Sequence, residues 1–172
     1  MADGHKWLLG PEGLALFYCR AERCEELALH QFGWHMTAQY DDFERRDWRP
    51  ADDARRFECG SPNLLGTHAL HASTGLLLEV GMDTVQKSVL GNSSYLVGSI
   101  GNNRTYELVT PSPEARRAGI VTFRPRHEDP QDLYRRLRDA GVLCAQRAGG
   151  IRFSPHFYTP RSVLDCALSL LE

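Results

Sequence analysis

The spacing of apolar residues divides the chain into a loop-rich start, a helical middle and an alternating α/β end. Leu14 to Tyr18 is a short apolar run behind Gly10-Pro11-Glu12-Gly13, which predicts a buried strand following a turn. From there to Pro62 the chain is polar, with Trp34, Tyr40, Phe43 and Trp48 set among charges. Long loops that pack on a neighbouring surface are expected. Pro62 suits the first turn of a helix, where a missing N–H costs little. Leu65, Ala69, Ala72, Leu76 and Val80 then recur at steps of three or four, predicting a helix over about 62–80 with that face apolar. Gly81 closes it, and Met82 to Val89 reads as a second helix.

Beyond Gly119 the pattern changes. Gly119 to Phe123 predicts a strand, and Asp129-Pro130 opens a helix with Asp129 as N-cap and Leu133 and Leu137 on one face. Gly141 ends that helix. Val142 to Ala145 and Ile151 to Ser154 predict two more strands, and a last helix carries Val163, Ala167 and Leu171 on its apolar side. Strand, helix, strand, strand, helix is the order of a small α/β lobe.

Composition changes this picture little. The 172 residues are 42% hydrophobic and 24% charged, as in ordinary globular chains. A formal charge of −2 argues against general nucleic-acid binding, because no cationic excess is available to neutralise phosphates. No apolar run approaches the ~20 residues that span a bilayer, and no secretory signal opens the chain. Five cysteines without close pairing predict reduced thiols in a cytoplasmic protein. With no export signal, the glycosylation-like triplets Asn92-Ser93-Ser94 and Asn103-Arg104-Thr105 are read as chance. His68 and His71 share a helix side, yet nothing completes a metal set, so no metal is expected. Arg135, Arg136 and Arg138 read as the wet face of a helix.

Three segments carry chemistry. The first is His5-Lys6-Trp7-Leu8-Leu9-Gly10-Pro11-Glu12-Gly13, an amine beside a glycine-bearing turn ahead of a strand. Arg56-Phe57-Glu58-Cys59-Gly60-Ser61-Pro62-Asn63 follows, with a hydroxyl and a glycine at the start of a helix. The third is Gly149-Gly150-Ile151-Arg152-Phe153-Ser154-Pro155-His156-Phe157-Tyr158-Thr159. In this order they resemble the class V aminotransferases and cysteine desulfurases, enzymes that use pyridoxal 5'-phosphate (PLP). Ser61 and Thr159 stand where that family commonly has Thr and Asn.

The resemblance implies an α/β fold: part of a fold-type I PLP-dependent transferase. Residues 1–61 would be the end of the large PLP-binding domain, 62–110 linking helices, and 111–172 the small C-terminal domain. It implies that Lys6 is the Schiff-base lysine and proton shuttle, with His5 near the cofactor phosphate. A lysine serves there when its surroundings favour the neutral amine. Gly60 and Ser61 would reach across a homodimer to the partner subunit's phosphate, helped by the helix N-terminus behind them. Arg152 would hold the substrate carboxylate through its planar fork. Ser154 and His156 are equally well read as loop hydrogen-bonding residues, and Arg147 as a solvated surface residue.

Only five residues precede Lys6, so the family's upstream contacts to the pyridine ring, its nitrogen and the phosphate are missing. Met1 is expected to be internal to a longer protein or the start of a truncated reading frame. The polypeptide alone is expected to bind PLP weakly and to turn over little. Cys144 lies close before Arg152 in a predicted strand, without the long Cys-bearing loop of many desulfurases, and reads as structural. The balance tilts toward transaminase, lyase or epimerase-like chemistry on an amino acid. Cysteine desulfurase or selenocysteine lyase activity is the rival, and a non-catalytic dimerising remnant the alternative from another class.

Overall fold

The computed structural model describes residues 1–172. The chain forms two compact units, Met1–Leu78 and Glu79–Glu172.

The first unit is largely irregular. β1 (Ala2–Asp3) and β2 (Ala15–Leu16) pair antiparallel, with Ala2 opposite Leu16. The apolar run at 14–18 is thus a strand for two residues only, and it is not buried: Leu16, Phe17 and Tyr18 are exposed. A two-stranded ribbon covers neither of its own faces, so burial would require further strands or a packed layer. The stretch expected to be loop holds three short 3-10 helices, Ala21–Glu26, Trp34–Met36 and Ala54–Phe57. Ala38 N donates to Arg49 O at 2.8 Å and Ala51 N to Met36 O at 2.8 Å, which closes the 38–49 loop over buried Met36 and Ala51. Trp34, Tyr40, Phe43 and Trp48, expected to pack away, all remain exposed.

α1 (Leu64–Val80) matches the predicted span, but its buried face does not. Gly66, Leu70 and Leu77 are buried, whereas Leu65 is 82% exposed and Leu76 49%. The helix bears leucines at 64, 65, 70, 76, 77 and 78, so its sequence offers more than one apolar face. The choice is made by the backbone of Gly4 and Gly10, which rests on Leu70. A Cβ at Gly10 would stand 2.8 Å from Leu70 Cδ1 and 3.4 Å from Ser73 Oγ.

In the second unit, α2 (Met82–Gly101) runs well past the expected Val89. Gly91, Asn92, Ser93, Ser94 and Gly98 are weak helix formers, and tertiary burial overrides them. Val85, Asn92, Ser93, Leu96, Val97 and Ile100 all point inward. The sheet has four antiparallel strands in the order β3-β4-β6-β5: β3 (Tyr106–Leu108), β4 (Val121–Pro125), β5 (Ala145–Arg147) and β6 (Gly150–Phe153). β3 escaped the sequence reading because three residues give too short a pattern. β5 shares only Ala145 with the predicted 142–145, and Leu143 is exposed.

α3 (Pro130–Asp139) follows the expected design: Asp129 caps it by accepting Gln131 N at 2.8 Å, and Leu133 and Leu137 are fully buried. α4 (Arg161–Ser169) turns Leu164 and Ala167 inward, Leu171 is buried just past its end, and Val163, expected on that side, is exposed. One core joins α2, α3 and α4 to the sheet through Val121, Phe123, Ile151 and Phe153. Phe123 meets Tyr106 and Phe153 edge-on, with centroids 5.4 and 5.2 Å away.

Candidate functional site

The His5–Gly13 segment is a compact turn. Gly4 N donates to Leu14 O at 2.9 Å, Gly10 N to Gly4 O at 2.7 Å, and Leu9 N to Lys6 O at 3.1 Å. Leu9 takes φ 58 and Gly13 φ 83, both left-handed conformations that let the chain reverse within a few residues. His5 and Lys6 stand exposed on this turn. Lys6 Nζ pairs with the carboxylate of Asp3, and that hydrogen bond and charge hold the Asp3 carboxyl below its ordinary range. The sequence reading missed Asp3, although an acid three residues before the lysine was the available signal.

The second segment is tied to the first. Asn63 Nδ2 donates to Gly13 O at 3.5 Å while its Oδ1 accepts Gly66 N at 2.9 Å, so one side chain links the turn to the start of α1. Phe17 and Phe57 meet edge-on at 5.2 Å. The structure therefore brings the two segments together within the first unit. Gly60 has open space where a Cβ would point, and Ser61 is exposed just before α1.

The third segment lies wholly in the second unit. Arg152 is in register with Thr122 of β4 and Ala145 of β5. It alternates with buried Ile151 and Phe153, so its side chain leaves the sheet on the face opposite theirs. It lines an open groove of about 730 Å³ together with Cys144, Ser154, Tyr158, Ser162 and Cys166. Arg152 Nε is buried with no hydrogen-bond partner, and no carboxylate pairs with this guanidinium.

The loop behind Arg152 is held from α2. Asn92 Nδ2 donates to His156 O at 3.3 Å and to Thr159 O at 3.0 Å. Thr159 Oγ1 accepts His156 N at 3.1 Å, and the buried His156 ring stacks on Tyr158 at 5.1 Å. His156 Nδ1 accepts Phe157 N at 2.9 Å, a loop-building role. Sequence reasoning missed Asn92, whose signal was an amide on the inward side of an apolar helix. Its burial leaves no room for a sugar. Cys144, expected inside a strand, sits just before β5 and half-buried in the Arg152 groove. Burial pushes its thiol up, opposed weakly by Arg138. His68 and His71 are exposed on α1.

Residues 1–161 match the aminotransferase class-V family model, and the chain belongs to that family. It is 29% identical over 147 residues to a probable cysteine desulfurase of Staphylococcus aureus, covering 86% of this chain and 34% of that protein. To the kynureninase of Deinococcus radiodurans it is 30% identical over 145 residues, covering 81% and 34%. The chain thus spans about a third of the length of these curated relatives. The fold matches the apo structure of the cysteine desulfurase from Thermococcus onnurineus NA1 with a TM-score of 0.86 at 20% identity, over 99% of this chain and 45% of that one. It also matches a C-DES structure with glycine covalently linked to its PLP cofactor, with a TM-score of 0.84 at 20% identity, over 98% and 44%. The architecture is accordingly that of part of a fold-type I PLP enzyme. No helix is long and apolar enough to cross a membrane.

Proposed function

We propose that this chain supplies the lysine, the carboxylate anchor and part of the phosphate site of a homodimeric PLP-dependent enzyme that acts on a small amino acid by transamination, elimination or epimerisation. The observation that carries this reading is the Arg152 guanidinium. Its Nε is buried without a hydrogen-bond partner and, unlike the unpartnered nitrogens of Arg55, Arg56 and Arg117, it belongs to a side chain lining an open groove, where a substrate carboxylate would supply the acceptor.

The residues present fit the cofactor. Lys6 is an exposed primary amine on a tight turn, held by a single exposed carboxylate that can release it. Gly60 and Ser61 offer open space and a free hydroxyl at the head of α1, where the helix dipole favours an anion. Lys6 would hold the aldehyde carbon of PLP and His5 would lie beside its phosphate. Gly60 and Ser61 would serve the phosphate of the partner subunit. Bound there, PLP supplies an electron sink for charge developing at the substrate α-carbon. Lys6 would carry the α-proton, and Arg152 would hold the substrate carboxylate. The Asp3 ion pair must open first, because a protonated amine cannot attack. The five free thiols are consistent with a reducing, cytoplasmic setting.

The chain has two lysines, Lys6 and Lys87, and both are exposed, which provides an internal control. Incubation with PLP followed by borohydride reduction should place the pyridoxyl adduct on Lys6 in preference to Lys87, as read by peptide mass mapping. Equal labelling of the two lysines would remove Lys6 from its role.

A second reading, removal of sulfur from cysteine, is favoured by one observation: Cys144 shares the groove with Arg152. The raised thiol weighs against it as a ready nucleophile. Sulfide release from cysteine by an enzyme carrying this chain, lost on Cys144→Ala, would establish it.

A further inference from the structure

Cys19 and Cys24 converge on one atom. Cys19 Sγ lies 3.4 Å from Arg20 O, and Cys24 Sγ lies 3.5 Å from the same oxygen. The cause is local. Arg20 caps the 3-10 helix Ala21–Glu26, which places Cys19 one residue before the cap and Cys24 at the fourth helical position. Side chains at those two places pack against each other across a helix start. Arg23 N also donates to Arg20 O, at 2.9 Å, which fixes the carbonyl between the sulfurs. Cys24 is buried and Cys19 is half-buried, so only Cys19 meets a reagent from solution.

We propose that Cys19 and Cys24 form a dithiol site that a small-molecule disulfide of the glutathione class converts to an intramolecular disulfide. Cys19 sulfur attacks one sulfur of the reagent, the reagent's S–S bond breaks, and the first small thiol leaves with the Cys19 proton. Cys24 sulfur then attacks Cys19 sulfur in the mixed disulfide, and the second small thiol leaves with the Cys24 proton. The two protein thiols are oxidised, and the small disulfide is reduced to two thiols. Burial, the neighbouring Cys24 and the charges of Glu22 and Glu26 hold the Cys19 thiol up. The first step is therefore slow, and the closed ring, whose leaving thiolate would be poor, resists reopening. The product staples the segment after β2 to the helix that follows it.

The test treats the full chain with oxidised glutathione, quenches in acid, alkylates the remaining thiols and maps the peptides by mass. The expected product has lost two hydrogens, retains no glutathione at either position and carries a Cys19–Cys24 bond. In Cys24→Ser the reaction should stop with one glutathione on Cys19, and in Cys19→Ser Cys24 should remain free. Glutathione retained on Cys19 of the unaltered chain, alkylation of both thiols after treatment, or a bond to Cys59 instead would each overturn the proposal.

Discussion

Replacing Asn92 by Ala tests whether one buried amide holds the loop that follows the carboxylate anchor. The side chain is 8% exposed and donates to His156 O and Thr159 O at 3.3 and 3.0 Å. Losing the bond to His156 O, which still accepts Thr159 N, costs about 1 kcal/mol net, and Thr159 O left without that donor costs about 1–3 kcal/mol. The truncation should therefore destabilise the second unit by about 2–4 kcal/mol. With a urea dependence of about 2 kcal/mol per molar, the midpoint should fall by about 1–2 M. Asn92→Asp keeps the size but turns oxygens toward the two carbonyls, so it should be at least as damaging. Hydrogen exchange at Thr159 N, which now donates to His156 O at 3.1 Å, should accelerate in both variants. A midpoint change equivalent to less than about 0.5 kcal/mol, the range of an ordinary surface substitution, would refute the argument.

Four further outcomes are expected. Leu70→Ala should cost about 2–5 kcal/mol while Leu65→Ala stays within about 0.5 kcal/mol, because the first is buried and the second exposed; urea unfolding of the pair reads which face of α1 is used. Gly10→Ala should cost about 1–3 kcal/mol, since its Cβ would meet Leu70 Cδ1 at 2.8 Å and Gly4 O at 3.0 Å, and limited proteolysis of residues 1–16 should speed up. Asp3 has its folded carboxyl pKa depressed by Lys6, so the ion pair contributes above the unfolded value and is lost as pH falls through the folded one; carboxyl NMR should place its midpoint below that of an isolated aspartate. Iodoacetamide should modify exposed Cys166 before Cys144, whose thiol burial pushes up; the reverse order by peptide mapping would contradict the burial argument.

The candidate chemistry was more legible than its supports. Lys6, Gly60, Ser61 and Arg152 stand out because the three segments that hold them resemble, in order, those of the family. Their holders do not. Asp3 is an ordinary acid until the turn folds it back on Lys6. Asn92 belongs to a triplet that mimics a glycosylation pattern, and its role depends on carbonyls more than sixty residues away in sequence. Cys144 was misplaced because the Val142-Leu143 pair looks like strand, whereas pairing with β6 begins only at Ala145.

Local rules alone determined several features. The Asp129-Pro130 cap, the Leu133–Leu137 face of α3, the glycine stop at 141 and the start of α1 after Pro62 follow from capping, periodicity and fixed backbone angles, which act within a few residues. Tertiary structure decided which side of α1 is buried, how far α2 extends, and whether the run at 14–18 is covered. Those outcomes depend on a partner surface: the backbone of Gly4 and Gly10 under Leu70, the sheet and α4 against Leu96 and Ile100, and only a two-residue strand beside Leu16. Hydrophobic burial is non-directional, so a helix with leucines all round carries no record of its neighbour until the chain has folded.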